Sequence, residues 1–185
     1  SEGEGDCIPC VAGKYVDVAG SDEAVDCIRC ASGRYSTLVG SFSDGDCTGC
    51  AVGKYANVEG SSAASDCIDC PVGKYVDEIG SNEATDCIHC IAGKWVGATG
   101  SAAASDCIVC DPGKYVDTSG SDSAGDCIDC AAGRWASASG SDHADDCVEC
   151  AVGKYTHVLG STAAADCIDC TAGKYVDVTG SDQES

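Results

Sequence analysis

Apolar and polar positions alternate in short bursts along this chain, and each burst is bounded by glycine. Between Gly13 and Gly20 the segment Lys-Tyr-Val-Asp-Val alternates with the period of a half-buried strand. After the Gly20-Ser21 turn, Asp-Cys-Ile-Arg-Cys makes a second such segment. The two glycines read as positive-φ turn positions. The pattern predicts a small, irregular two-stranded hairpin, repeated. Ala-rich turns such as Ser101 to Ser105 have room for a single helical turn, and no segment is long enough for an independent helix.

The repetition has a period of 20 without insertion or deletion. Written from its serine, each unit reads S-x-x-x-x-D-C-I-x-C-x-x-G-[KR]-[YW]-x-x-x-x-G, and only the Ile column admits exceptions, Thr48 and Val148. One continuous array is expected over residues 1–185: repeats 1–20, 21–40, 41–60, 61–80, 81–100, 101–120, 121–140, 141–160 and 161–180, with 181–185 opening a tenth. The aromatics fall in one column (Tyr15, Tyr35, Tyr55, Tyr75, Trp95, Tyr115, Trp135, Tyr155 and Tyr175). Stacking the repeats would make that column an aromatic ladder along one face, the expected spine. The base that precedes each aromatic should point to the opposite face. It is a candidate partner for the Asp before each CxxC, such as Asp26 or Asp46, the alternative being a solvated base that keeps an acidic array soluble.

Composition narrows the class. Eighteen cysteines in 185 residues reach the level of about 10% at which a disulfide scaffold leads, and cytosolic chains rarely look like this. With two Leu, one Phe and no Met, a repeat has too little apolar surface to fold alone and needs crosslinks and stacked neighbours. The fold class expected is therefore small, disulfide-rich and mostly β or irregular: tandem 20-residue repeats, one short hairpin each, stacked into an elongated rod or solenoid. Two ladder strands per repeat would give a length on the order of 90 Å. The net charge of −21 opposes binding to nucleic acid or an anionic membrane surface. No stretch approaches the roughly 20 apolar residues of a membrane span.

From Cys10-Val-Ala-Gly-Lys-Tyr through Gly20-Ser21 to Cys27-Ile-Arg-Cys30, the chain resembles the ephrin-receptor-like cysteine-rich repeats. More distantly, it is similar to the first module of tumour-necrosis-factor-receptor cysteine-rich domains. The resemblance implies a tandem row of disulfide-linked β units in an extracellular or cell-surface setting. Two features depart from the family pattern. A base stands where a hydroxyl residue is common before the aromatic, and the spacing is unusually uniform.

Three simple connectivities are open: within a CxxC, from the second Cys of one repeat to the first of the next, or the wider Cys7 to Cys30 type. A CxxC bridge is strained and typical of redox sites, whereas the 17-residue step spans a hairpin and resembles the receptor module. The expected bonds join Cys10 to Cys27, Cys30 to Cys47, Cys50 to Cys67, Cys70 to Cys87, Cys90 to Cys107, Cys110 to Cys127, Cys130 to Cys147 and Cys150 to Cys167. Cys7 and Cys170 are left over as candidates for bonds between units. With no capping repeat in view, the array is expected to continue in a longer protein or to join head to tail, so self-association is the expected partnership.

Zinc is the competing use of the cysteines, because C-x2-C-x16-C-x2-C has zinc-ribbon spacing. Tetrahedral sites would consume repeats in pairs, and nine is odd. Catalysis has less support: His89, His143 and His157 fall at three repeat phases, and nothing supplies the helix of a thioredoxin-type oxidoreductase. No enzyme activity and no cofactor are expected. Calcium is a candidate at the Asp6 column beside acidic turns such as Asp22-Glu23, although the pattern matches neither the EF-hand loop nor the calcium β-helix repeat. No N-glycosylation sequon is present, since Asn57 and Asn82 are followed by Val58-Glu59 and Glu83-Ala84. The serine opening each repeat, such as Ser21 or Ser61, is a candidate for O-glycans. The function expected is an extracellular structural rod, stalk or filament segment, the alternative being a receptor-type ectodomain that binds a protein ligand.

Overall fold

The computed structural model describes residues 7–184. Its first strands are β1 (Lys14–Tyr15), β2 (Ile28–Arg29), β3 (Arg34–Tyr35), β4 (Thr48–Gly49), β5 (Lys54–Tyr55) and β6 (Ile68–Asp69), and the same pattern continues to Ile168–Asp169. Each strand has two residues. The hairpin straddles the repeat boundary, antiparallel, pairing Lys14 with Arg29 and Tyr15 with Ile28, then Lys54 with Asp69 and Tyr55 with Ile68. A single 3-10 turn, such as Ala64–Asp66, leads into the second strand of each pair. Every sheet has two strands. The hairpins therefore do not add edge to edge into a continuous ladder, and the strand-by-strand length expected from the sequence has no basis in the pairing.

The chain divides into two compact units. The first takes residues up to Pro71 with Tyr75–Ile88 and Thr99–Ala104; the second takes Val72–Lys74, His89–Ala98 and residues from Ser105 onward. Inside each unit, repeats are joined by the same backbone bonds. In the first, Gly33 N–H donates to Ala56 O at 2.7 Å, Ala56 N–H to Ser81 O at 3.0 Å and Gly80 N–H to Cys50 O at 2.8 Å. In the second, Gly113 donates to Ala136, Ala136 to Ser161 and Gly160 to Cys130, all at 2.8 to 3.0 Å. Isolated parallel bridges, Tyr35 with Ser61 and Tyr115 with Ser141, complete the link.

Glycine is required where these contacts are closest. Gly33 has φ +82°, and a Cβ there would collide with the carbonyl of Gly80, two repeats on. Only a residue without a side chain fits both the left-handed backbone and the approach.

The core is thin and made of sulfur and small aliphatics. Cys30, Cys50, Cys70, Cys90 and Cys130 have no exposed surface. The residue after the aromatic is buried with them from the second repeat to the eighth: Ser36, Ala56, Val76, Val96, Val116, Ala136 and Thr156. Burying one such Val is worth about 1.5–3 kcal/mol, too little to order 20 residues, which is why repeats share covalent bonds and backbone bonds with their neighbours.

Candidate functional site

Eight disulfides join Cys10–Cys27, Cys30–Cys47, Cys50–Cys67, Cys70–Cys87, Cys90–Cys107, Cys110–Cys127, Cys130–Cys147 and Cys150–Cys167, each with a sequence separation of 17. Their Cα atoms lie 5.7–5.8 Å apart, within the ordinary span of the bond. Each bond closes a loop around the first strand of a hairpin and the turn that follows it, as Cys50–Cys67 does around Lys54–Tyr55. Cys7 and Cys170 are free, the first exposed and the second partly so.

The aromatic column meets these bonds directly. Tyr35 packs on the cluster of Cys50, Ala56 and Cys67, Tyr55 on Cys70, Val76 and Cys87, Trp95 on Cys110, Val116 and Cys127, and Tyr115 on Cys130, Ala136 and Cys147. In these four cases the seam is a ring laid on the following repeat's disulfide, with polarisable sulfur as the partner. The aromatics Tyr15, Tyr75, Trp135 and Tyr155 occupy the same place in the motif, each half-buried, and Tyr175 is exposed.

Asp26, Asp46, Asp66, Asp86, Asp126, Asp146 and Asp166, candidate partners of the base that stand before a CxxC, turn their carboxylates to the backbone instead, as at Asp46. Its carboxylate closes the 3-10 turn: Asp46 Oδ2 accepts the backbone N–H of Phe42 at 3.1 Å and of Ser43 at 3.2 Å. Asp26, Asp66, Asp86, Asp126, Asp146 and Asp166 accept the equivalent pairs. A short carboxylate reaches backbone N–H groups three and four residues back more readily than a cation across the hairpin. The same column was the calcium candidate; Asp6 itself lies outside the described residues. Among the described residues no three His, Cys, Asp or Glu side chains converge as a metal site.

The base instead crosses the hairpin to the residue between the two cysteines of the next CxxC. Lys114 Nζ lies 2.7 Å from Asp129 and Arg134 Nη2 lies 2.7 Å from Glu149; Lys54 meets Asp69 and Lys154 meets Asp169. Where Gly49 fills that position, Arg34 turns to Asp44 at 2.7 Å. All these pairs are substantially exposed, so each contributes under about 1 kcal/mol. Glu149 also accepts a hydrogen bond from the Thr179 hydroxyl. That bond first, and the Arg134 charge second, hold its carboxyl below the ordinary value despite some desolvation.

The serines that open the repeats from Ser41 to Ser161 are buried. Ser61 and Ser161 are 6% and 4% exposed, and each donates its hydroxyl at 3.2 Å to a carbonyl three residues back, Val58 O and Val158 O. Ser21 is the exposed member that the sequence also singled out. The folded interior hides this column because the serine sits under the aromatic's parallel bridge. Sequence reasoning missed two positions. The buried residue after the aromatic varies among Val, Ala, Ser and Thr, so no single residue type marked it. His143 accepts the Asp145 N–H at 3.2 Å through Nδ1, in the capping place that Ser43 and Ser123 fill elsewhere. His89 lies exposed on the strand Ile88–His89, and His157 is exposed as well.

Residues 1–47 and 42–87 match the family described as tyrosine-protein kinase ephrin type A/B receptor-like. The two adjacent matches are consistent with tandem ephrin-receptor-like cysteine-rich repeats over residues 1–87, and the 20-residue period of the chain continues to Gly180. No curated protein matches the chain. The repeats and the disulfides together suggest an extracellular or cell-surface location. Among the described residues no helix is long and apolar enough to cross a membrane.

Proposed function

We propose that this array of ephrin-receptor-like cysteine-rich repeats is an extracellular structural segment, part of a rod, stalk or filament, and that it has no catalytic role and no resident cofactor. The observation that carries the reading is the sameness of the links. Gly33 to Ala56 and Gly113 to Ala136 are the same bond four repeats apart, so no repeat is reserved for a separate task. Self-association belongs to the proposal, with the free thiols of Cys7 and Cys170 as the groups for bonds to other copies.

Negative-stain imaging of the native material, with non-reducing gels of the wild type and of Cys170→Ser, is the test. Extended particles, and covalent multimers that disappear in the variant, are expected. Compact monomers with both thiols unreacted would overturn the reading. A receptor-type ectodomain is the second reading, and one residue favours it. Phe42 is 74% exposed in a column otherwise filled by small or polar side chains, the kind of isolated aromatic that anchors a protein partner.

A further inference from the structure

The chain carries ten basic residues, and the disulfides sort them into two classes. Lys14, Arg34, Lys54, Lys74, Lys94, Lys114, Arg134 and Lys154 each lie inside a closed loop, from Cys10–Cys27 to Cys150–Cys167 in order. Cutting after any of them leaves both new ends tied by the same bond. Arg29 and Lys174 are outside every loop. Lys174 follows the free Cys170, and none of the eight disulfides spans it. Arg29 stands between Cys27 and Cys30, which belong to two different disulfides.

The first hairpin is also the one with a charge mismatch. Lys14 faces Arg29 across the strands, where other repeats set a base against Asp69, Asp129, Glu149 or Asp169. Like charges directly opposite destabilise a pair. Arg29 is exposed. Proteolysis of folded protein follows local opening, and this hairpin has less holding it shut.

We infer that the array tolerates nicking by extracellular endopeptidases that read Lys or Arg, and that the Arg29–Cys30 bond is the processing site at which such an enzyme divides it. Water adds across that amide, the C–N bond breaks, and Arg29 keeps a carboxylate while Cys30 gains a free amine. The released piece carries its own Cys10–Cys27 bond. The inference goes beyond the structural reading and does not depend on it, since it rests on which loops close around which bases.

Limited digestion of the native full chain with trypsin, its free thiols alkylated, is the experiment. Products are read by mass under denaturing conditions, before and after reduction. Before reduction the expected products are 1–29, 30–174 and 175–185, with Arg29 cut at least about tenfold faster than any base from Lys54 to Lys154. After reduction, any internal nicks appear as peptides of repeat length. Arg29→Asp, copying Asp69, and Arg29→Gly, copying Gly49, should both leave 1–174 in one piece, and eight intact disulfides by mass establish that each has folded. Internal loops cut before Arg29, an unreduced 30–174 that falls apart, or a chain resistant at Arg29 would each overturn the inference.

Discussion

The hairpin of Lys14–Tyr15 with Ile28–Arg29 and that of Lys54–Tyr55 with Ile68–Asp69 are written in the same motif and lie in the same unit, yet they are buried differently. In the second, Ala56 is 1% exposed and Ser61 and Cys67 are 6% exposed. Their counterparts Val16 and Cys27 are only partly covered, and Ser21 is exposed. The reason lies outside each hairpin. Ala56 O accepts the Gly33 N–H of the preceding repeat, and Tyr35 lies on Cys50 and Cys67. Among the described residues Val16 O receives no such bond. Burial in this chain is a property of the neighbour, so stability should behave as a sum of interface terms between adjacent repeats.

The largest test of that comparison removes a bond from each place. Converting Cys50 and Cys67 together to Ala should cost about 3 kcal/mol from loop entropy alone, and more because both sulfurs are buried under Tyr35. Removing Cys10, which is 4% exposed, and Cys27, which is only partly covered, should cost the entropic part and a smaller packing part. Denaturant unfolding with Cys7 and Cys170 alkylated in all samples measures both. Equal losses would mean that the neighbour adds nothing.

Glycine gives the next contrast. Gly53→Ala puts a Cβ against the Gly100 carbonyl at φ +82°, and a loss of about 2–3 kcal/mol is expected from backbone strain and displaced contact. Gly20 has the same left-handed backbone, φ +85°, with nothing within 4 Å. Gly20→Ala should therefore cost only the conformational part, about 1–2 kcal/mol. A common value for the two would show that the close approach carries no energy.

What the sequence made legible follows the same division. Invariant columns could be read one residue at a time: the cysteine pairs, the glycine turns and the aromatic that opens each hairpin all announced their roles by type. Roles set by a neighbouring repeat could not. Ser61 is buried because a parallel bridge from Tyr35 covers it, and nothing in Gly-Ser distinguishes that serine from an exposed turn. Ala56, Val76 and Thr156 share a buried position although their side chains differ, because backbone bonds fix the place and leave the residue free to vary. Asp46 and Asp69 are both carboxylates near a base, and only the register decides that the first closes a turn while the second pairs with Lys54.

That variable column supplies a smaller test. Val76→Ala deletes two buried methyl groups, about 1.5 kcal/mol at roughly 0.8 each, whereas Val16→Ala should cost under about half as much. Arg29→Asp works in the opposite direction. It replaces the like-charge pair with Lys14 by the arrangement seen at Lys54 and Asp69, and an exposed pair of that kind should stabilise the first hairpin by less than about 1 kcal/mol. Amide exchange at Tyr15 and Ile28 would report it locally, with protection rising in the variant and unchanged in the second unit. Unchanged protection at both residues would remove charge as a reason for the first hairpin's weakness.

The smallest effect lies at the other pole of the same column. Glu149 is longer than Asp129 and reaches both Arg134 and the Thr179 hydroxyl, which together draw its carboxyl below the ordinary 4.5. A depressed folded-state value favours the fold once the unfolded chain is ionised, above about pH 4.5, and the contribution is lost as pH falls through the lower folded value. Thr179→Val removes the larger cause and leaves Arg134. The Glu149 carboxyl, followed by NMR, should then titrate closer to 4.5. A Glu149 midpoint that does not move would assign the depression to Arg134. Glu149 would then be a cross-strand ion-pair partner of the same kind as Asp69, Asp129 and Asp169, differing from Arg29 of the first hairpin in the sign of its charge.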